Sequence, residues 1–89
     1  MTLPIESGRI TVGTTPVQID GVGVSPIRIY VHNEDNTKTI FIGSSDVTIA
    51  NGFGLNKLES KDFLLFPNQS LWVVSESSGH IISYLRIPV

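Results

Sequence analysis

The segment from Ile40 to Leu55 constrains the fold of this chain more than any other part of it. It reads IFIGSSDVTIANGFGL, in which a Gly-Ser-Ser-Asp turn and an Asn-Gly turn separate short apolar alternations. Turn residues of this kind between β-branched runs are typical of tightly connected antiparallel strands. The segment holds no nucleophile–base pair, metal-ligand cluster or phosphate-binding loop. It therefore predicts architecture and leaves the chemistry open.

Two-residue alternation of apolar and polar side chains recurs along the rest of the chain, whereas helical spacing does not persist beyond about one turn. The clearest half-buried strand is 27–31, and residues 39–43 are predicted to return as its hairpin partner. Residues 63–66 are apolar on both faces, which predicts burial on both sides or a subunit contact. Further short strands are predicted at 10–12, 17–19, 47–49, 71–74 and 81–87. About eight short strands favour an all-β fold, an antiparallel sandwich or barrel.

Composition excludes several classes of function. Charged residues make up 16% of the 89 residues, the net charge is −2, and the six Lys and Arg are scattered, so nucleic-acid binding is not expected. No apolar run approaches a membrane span, and no signal peptide is predicted. The absence of cysteine excludes disulfides and thiolate metal sites within these residues. We expect residues 1–8 to form a flexible arm and residues 9–89 a single all-β domain.

The titratable and nucleophilic side chains do not form a recognisable site in the sequence. His32 and His80 lie at strand ends without ligand spacing, and both are interpreted as partly exposed histidines. Residues 34–36 offer oxygen ligands for calcium, but the alternating ligand loop is missing. No serine lies in a nucleophile elbow. We therefore expect no catalytic residue, no metal and no cofactor, and the chain is predicted not to be an enzyme.

The aromatic side chains carry more information. Tyr30, Phe41, Trp72 and Tyr84 have the opposite phase to the aliphatic residues of their strands, which predicts that they lie on outer faces. Such rings can pack across strands on the surface, or they can anchor a protein interface. A carbohydrate-binding platform that uses Trp72 and Tyr30 is a third alternative. The candidate interface residues are Leu3, Pro4, Ile5, Tyr30, Phe41, Phe63, Phe66, Trp72 and Tyr84.

From about Gly8 to the C-terminus, the order of these segments resembles that of small bacteriophage capsid decoration proteins, also called cement or head-stabilising proteins. The likeness includes an "hxIG…VT…NGxxL" stretch and an "LWaVS" strand. The chain departs from the family pattern at 59–62, where a glycine-rich or hydrophobic turn is more common. The segments that carry the likeness are Thr14–Ile19, Ile27–Asn33, Ile40–Gly43, Val47–Thr48, Asn51–Leu55 and Leu71–Ser75.

The resemblance implies a jelly-roll-like domain that forms homotrimers, binds the major capsid protein on the outer surface of the virion and bridges capsid subunits. Assembly would take place in the host cytoplasm. Two alternatives stay open for the apolar N-terminal arm: it becomes ordered on the capsid, or it remains a disordered terminus. Related β-domains also occur in phage tails and baseplates. A carbohydrate- or receptor-binding module of a tail or baseplate is therefore the alternative function.

Overall fold

Eight strands in two antiparallel sheets make up the part of the chain that the structure describes. The structure is a computed structural model that describes residues 5–21 and 26–89. Sheet A has the order β1-β8-β3-β6, and sheet B has the order β2-β7-β4-β5. The strands are β1 Glu6–Val12, β2 Val17–Gly21, β3 Ile27–Asn33, β4 Ile40–Gly43, β5 Phe53–Leu55, β6 Ser60–Leu65, β7 Ser70–Ser75 and β8 His80–Pro88.

The pairing of the strands defines the topology. Strand β1 pairs with β8, β2 with β7, β3 with β6 and β4 with β5, all antiparallel. These are the pairs of one long two-stranded ribbon, and the further pairs β3–β8 and β4–β7 close it into two sheets. A ribbon wound in this way is a jelly roll, one of the double-sheet β architectures. The predicted all-β sandwich is therefore confirmed.

The core lies between the two sheets and is built from the alternate residues of each strand. In β3, Ile27, Ile29 and Val31 are buried while Tyr30 between them is exposed. Ile40 and Ile42 of β4 face the same interior from sheet B. Burial of a side chain of this size stabilises the fold by roughly 1.5–3 kcal/mol. The core cluster is Val12, Ile19, Ile27, Ile29, Val31, Ile40, Ile42, Leu55, Leu65, Leu71, Val73 and Ile82.

Strands β3 and β4 do not form the predicted hairpin. They belong to different sheets, with β3 between β8 and β6 and β4 between β7 and β5. The six residues that connect them cross from one sheet to the other. The side-chain amide of Asn33 donates to the carbonyl oxygen of Lys38 at 2.8 Å, which holds this crossing in place.

Residues 47–49 are also not a strand, although Val47 and Ile49 are β-branched. Local hydrogen bonds use their backbone groups instead: the Val47 amide donates to the Ser44 carbonyl at 3.0 Å, and the Thr48 amide donates to Oδ1 of Asn51 at 2.7 Å. The fifth strand is instead 53–55.

Strand bounds differ from the expectation in two further places. β1 begins at Glu6, within the segment 1–8 that was expected to be an arm, and residues 6–8 pair with Arg86, Leu85 and Tyr84 of β8. The strand at 60–65 lies at the edge of sheet A, and its outward-facing Leu64 is 39% exposed, so burial on both sides is wrong for a single copy. The alternative, a subunit contact, stays a prediction. Within residues 5–21 and 26–89, no helix is long and apolar enough to cross a membrane.

Candidate interaction surface

The outer face of sheet A carries a group of exposed apolar side chains. Tyr30 pairs across the sheet with Leu85 on one side and Asp62 on the other. In the next row, Arg28 lies between Ile87 and Leu64. Tyr30, Leu64 and Leu85 are exposed by 40%, 39% and 37% respectively. We call the four residues Tyr30, Leu64, Leu85 and Ile87 the apolar patch.

The charged groups within the patch neutralise each other. Nη1 of Arg28 donates to Oδ2 of Asp62 at 2.6 Å, and both side chains remain about 40% exposed. Exposed pairs of this kind contribute roughly 0–1 kcal/mol to stability. Their effect on this surface is therefore mainly to leave the patch without net charge.

The other half of the face, towards the end of β3, is polar. Nδ1 of His32 and Oγ of Ser60 are 2.6 Å apart, and Oγ of Ser83 donates to Oε2 of Glu34 at 2.6 Å. This hydrogen bond from Ser83 lowers the pKa of Glu34, and the charges of Arg9 and His32 lower it further. A cavity of about 520 Å³ lies here, with Tyr30 and Leu85 at its apolar border.

The outer face of sheet B is partly covered by the loop between β4 and β5. Val47 of this loop is only 4% exposed. Gly52 packs so closely that an added Cβ would lie 2.5 Å from Cβ of Phe41 and 2.9 Å from Cγ2 of Val47. Phe41 is consequently half-buried beneath its own chain. Trp72 is also half-buried, and its Nε1 donates to Oγ of Ser70 at 3.0 Å.

Three of the candidate interface residues lie on or beside the outer face of sheet A: Tyr30 in the patch, Phe66 directly after β6, and Ile5 directly before β1. Ile5 and Phe66 are exposed by 63% and 55%. Continuing the β1–β8 register by one residue places Ile5 beside Ile87. Leu3 and Pro4 lie outside the described residues.

Two of the aromatic candidate interface residues, Tyr84 and Phe63, point into the sandwich. Tyr84 packs against the core and lies over Gly8, where an added Cβ would be 2.8 Å from the phenolic oxygen. Its predicted place on the outer face is therefore wrong, because it shares the phase of the inward residue Ile82. Phe63 also packs against the core, and its ring meets that of Phe53 edge-on with centroids 6.1 Å apart. This contact joins the edge strands β5 and β6.

A buried polar cluster, which sequence reasoning missed, lies between the sheets. Asn33, Ser75 and His80 are each at most 1% exposed. Oδ1 of Asn33 is 2.7 Å from Nε2 of His80, and Oγ of Ser75 is 2.8 Å from Nδ1. The Asn33 amide nitrogen donates to backbone carbonyls, so its Oδ1 accepts from Nε2–H and the Ser75 hydroxyl donates to Nδ1. Both histidine nitrogens are thus satisfied by a neutral ring.

The environment of His80 favours that neutral form. Burial lowers its pKa from the ordinary value of 6.5, against a smaller raising effect from the charge of Asp35. The interpretation of His80 as a partly exposed histidine is therefore wrong. The alternation of inward and outward residues could have indicated this burial. In β3, Asn33 continues the series of alternate residues that face the core, and in β8, His80 lies two positions before the inward-facing Ile82.

Related series, serine–histidine–aspartate and cysteine–histidine–asparagine, are used by enzymes to activate a nucleophile. Here all three side chains are enclosed, so a substrate-sized molecule cannot reach the Ser75 hydroxyl. The cluster instead joins strands β3, β7 and β8. Among residues 5–21 and 26–89, no group of three His, Cys, Asp or Glu side chains is placed to hold a metal ion.

Comparison with known proteins identifies a similar fold. No family model matches the sequence, and no curated protein matches it. A solved structure described as "Bacillus endospore appendages form a novel family of disulfide-linked pili" superposes with a TM-score of 0.56 at 16% identity, covering 99% of this chain and 89% of that one. At this identity the likeness shows a shared fold. The jelly roll described above is thus also present in a structural protein of an appendage.

Proposed function

We propose that this chain is a non-catalytic structural subunit of an external protein assembly and acts through protein–protein contacts. The observation that carries the proposal is the uncharged apolar patch on the outer face of sheet A. Monomeric proteins rarely leave large contiguous apolar areas in water, and such areas mark contact sites. The buried polar cluster supports the same proposal, because its hydrogen bonds are internal and its groups are enclosed.

The similar solved structure supports a structural role but not the same means of joining subunits. That protein forms disulfide-linked pili. The 89 residues of this chain contain no cysteine, so they cannot join subunits through disulfides. Non-covalent assembly requires buried apolar area instead, which the patch provides.

The finer form of the proposal is capsid decoration: a homotrimer that binds the major capsid protein on the outer surface of a phage virion and bridges its subunits. Its support is the sequence resemblance described above. The test is the mass of the purified chain alone and after mixing with purified capsids of a phage that encodes it, followed by heating of decorated and bare capsids. We expect co-sedimentation and a higher disruption temperature for decorated capsids. A chain that neither binds nor stabilises these capsids would refute decoration.

The alternative is a carbohydrate- or receptor-binding module of a tail or baseplate. The structure changes this alternative, because Tyr30 and Trp72 lie on opposite sheets and cannot form one platform. The cavity of about 520 Å³ beside Tyr30 supplies a different place, lined by the polar groups of Arg9 and Glu34. Glycan-array binding that is lost in Tyr30→Ala and retained in Trp72→Ala would favour this function over capsid decoration.

A further inference from the structure

The partner of the apolar patch can be inferred from its size, charge and shape. Resting on the proposed function, we propose that copies of this chain associate with one another through the outer face of sheet A, with the apolar patch at the centre of the contact. Ile5 and Phe66 border the patch and extend it at the end where β1 begins and β6 ends.

The size of the exposed apolar surface is sufficient for a specific contact. Between 37% and 63% of the surface of Ile5, Tyr30, Leu64, Phe66 and Leu85 is accessible. Large side chains bury about 150–250 Å² each when fully enclosed, so these exposed fractions amount to several hundred Å². A standard interface buries roughly 800 Å² per partner. The patch and its borders therefore supply a large part of that area from apolar atoms alone.

The charge of the face determines what kind of partner fits. Arg28 and Asp62 already form a pair at 2.6 Å within one copy. A strongly charged partner gains little here, because neither charge is left without an opposite neighbour. A neutral apolar partner can cover the pair without leaving an unpaired buried charge, which would be costly. The same face of a second copy is neutral in the same way.

The shape of the face points to another sheet. Sheets pack face to face at about 10 Å through alternate side chains of each strand, which is how the two sheets of this domain already enclose their core. The outer face of sheet A has no covering segment among the described residues, while the loop containing Val47 and Gly52 lies over sheet B. Sheet A is thus the face on which a second copy can pack in the same manner. Because both copies use the same face, this contact has two-fold symmetry and joins copies in pairs.

The first test compares matched pairs of substitutions. The variant Leu64→Thr/Leu85→Thr removes two patch leucines and keeps residues that suit strands. The control variant Ile49→Thr/Leu58→Asn removes two apolar side chains of similar or greater exposure that lie in loops. Sedimentation equilibrium gives the masses, and circular dichroism with thermal unfolding checks the fold. We expect oligomers of the original chain and the control, and about 100-fold weaker association of the patch variant.

The second test uses the lack of cysteine in these residues. A single Leu85→Cys thiol should react with a maleimide at least about tenfold more slowly at concentrations where the chain is associated than after dilution, because partners exclude the reagent. An Ile49→Cys thiol should react equally fast in both conditions. This comparison does not require the double patch variant, since Leu85→Cys changes one leucine and keeps Leu64 and Tyr30.

Several outcomes would overturn the inference. They are a monomeric original chain at high concentration, an associated patch variant with unchanged mass, and a Leu85→Cys thiol that stays fully reactive in the oligomer. Capsid binding by a monomer would overturn self-association through sheet A while leaving capsid decoration standing. Oligomers that dissociate when the patch is substituted but do not bind capsids would support the contact through sheet A and count against capsid decoration.

Discussion

Replacement of Asn33 by alanine tests whether the buried polar cluster stabilises the fold. The Asn33 side chain is completely buried. Its amide nitrogen donates to the carbonyl oxygens of Lys38, Leu55 and Asn56 at 2.8, 3.1 and 3.1 Å. Its Oδ1 accepts from the Asp35 amide at 3.0 Å and from Nε2 of His80 at 2.7 Å. One side chain thus satisfies groups from three separate segments.

The expected loss follows from the groups left without partners. Asn33→Ala removes the acceptor of two N–H groups, and an unsatisfied buried donor costs about 1–3 kcal/mol. The three backbone carbonyls that lose their donor add to this loss of folding free energy, while water that enters the space left by the Asn33 side chain reduces it. We therefore expect the free energy of unfolding to fall by about 3–5 kcal/mol, a large part of the total for a domain of this size.

Urea unfolding followed by Trp72 fluorescence measures this change. Ser60→Ala is the matched control, because it also removes a side-chain hydrogen-bond partner of a histidine, but at an exposed site on His32. We expect the control to lie within about 0.5 kcal/mol of the original chain. A loss below about 1 kcal/mol in Asn33→Ala would refute the reasoning, since it would mean that the cluster is not needed to satisfy its partners.

Three further changes test other parts of the structure. Because burial lowers the pKa of His80, the unfolded chain binds a proton at this residue at a higher pH than the folded chain does, so stability should fall as the pH is lowered from 6.5 to 5. The dependence of the urea midpoint on pH in this range should become shallower in His80→Gln. Gly52→Ala should destabilise the domain by about 1–3 kcal/mol in urea unfolding, because its Cβ would lie 2.5 Å from Cβ of Phe41, and an unchanged midpoint would contradict that packing. Leu58 has a φ of 57°, so Leu58→Gly should raise the melting temperature, with a stabilisation of up to about 1 kcal/mol, and a lower melting temperature would contradict relief of backbone strain.

Sequence patterns predicted the strands well where burial alternates on one face. In 27–31 the apolar phase alone identified β3, and the all-β sandwich or barrel followed from the number and spacing of such strands. The jelly-roll form was implied only by the resemblance to capsid decoration proteins. Patterns failed where local hydrogen bonds competed with β-propensity, as at Val47. They also failed on pairing, because the sheet in which a strand lies depends on contacts distant in the chain. The bond between Asn33 and His80 spans 47 positions, so no local pattern reveals it.

The candidate interface was predicted in part for the same reason. Alternation correctly placed Tyr30 on an outer face, since its neighbours in β3 are buried. It could not place Tyr84 or Phe63, because their strands carry apolar residues in both phases and the direction of each ring depends on what packs opposite. The leucines of the patch were missed, since a leucine beside buried residues looks like core until the pairing of the sheet is known.

Stability and association should be separable in this domain, because different residues control them. Asn33 and its partners are enclosed, so changes there should weaken folding and affect association only through loss of the folded chain. Leu64 and Leu85 are more than a third exposed, so they contribute less to the folding of a single copy than the enclosed residues do. Changes there should weaken association by more than they lower the unfolding midpoint of the monomer. Equal effects of the two kinds of variant on both properties would mean that the patch belongs to the fold rather than to an interface.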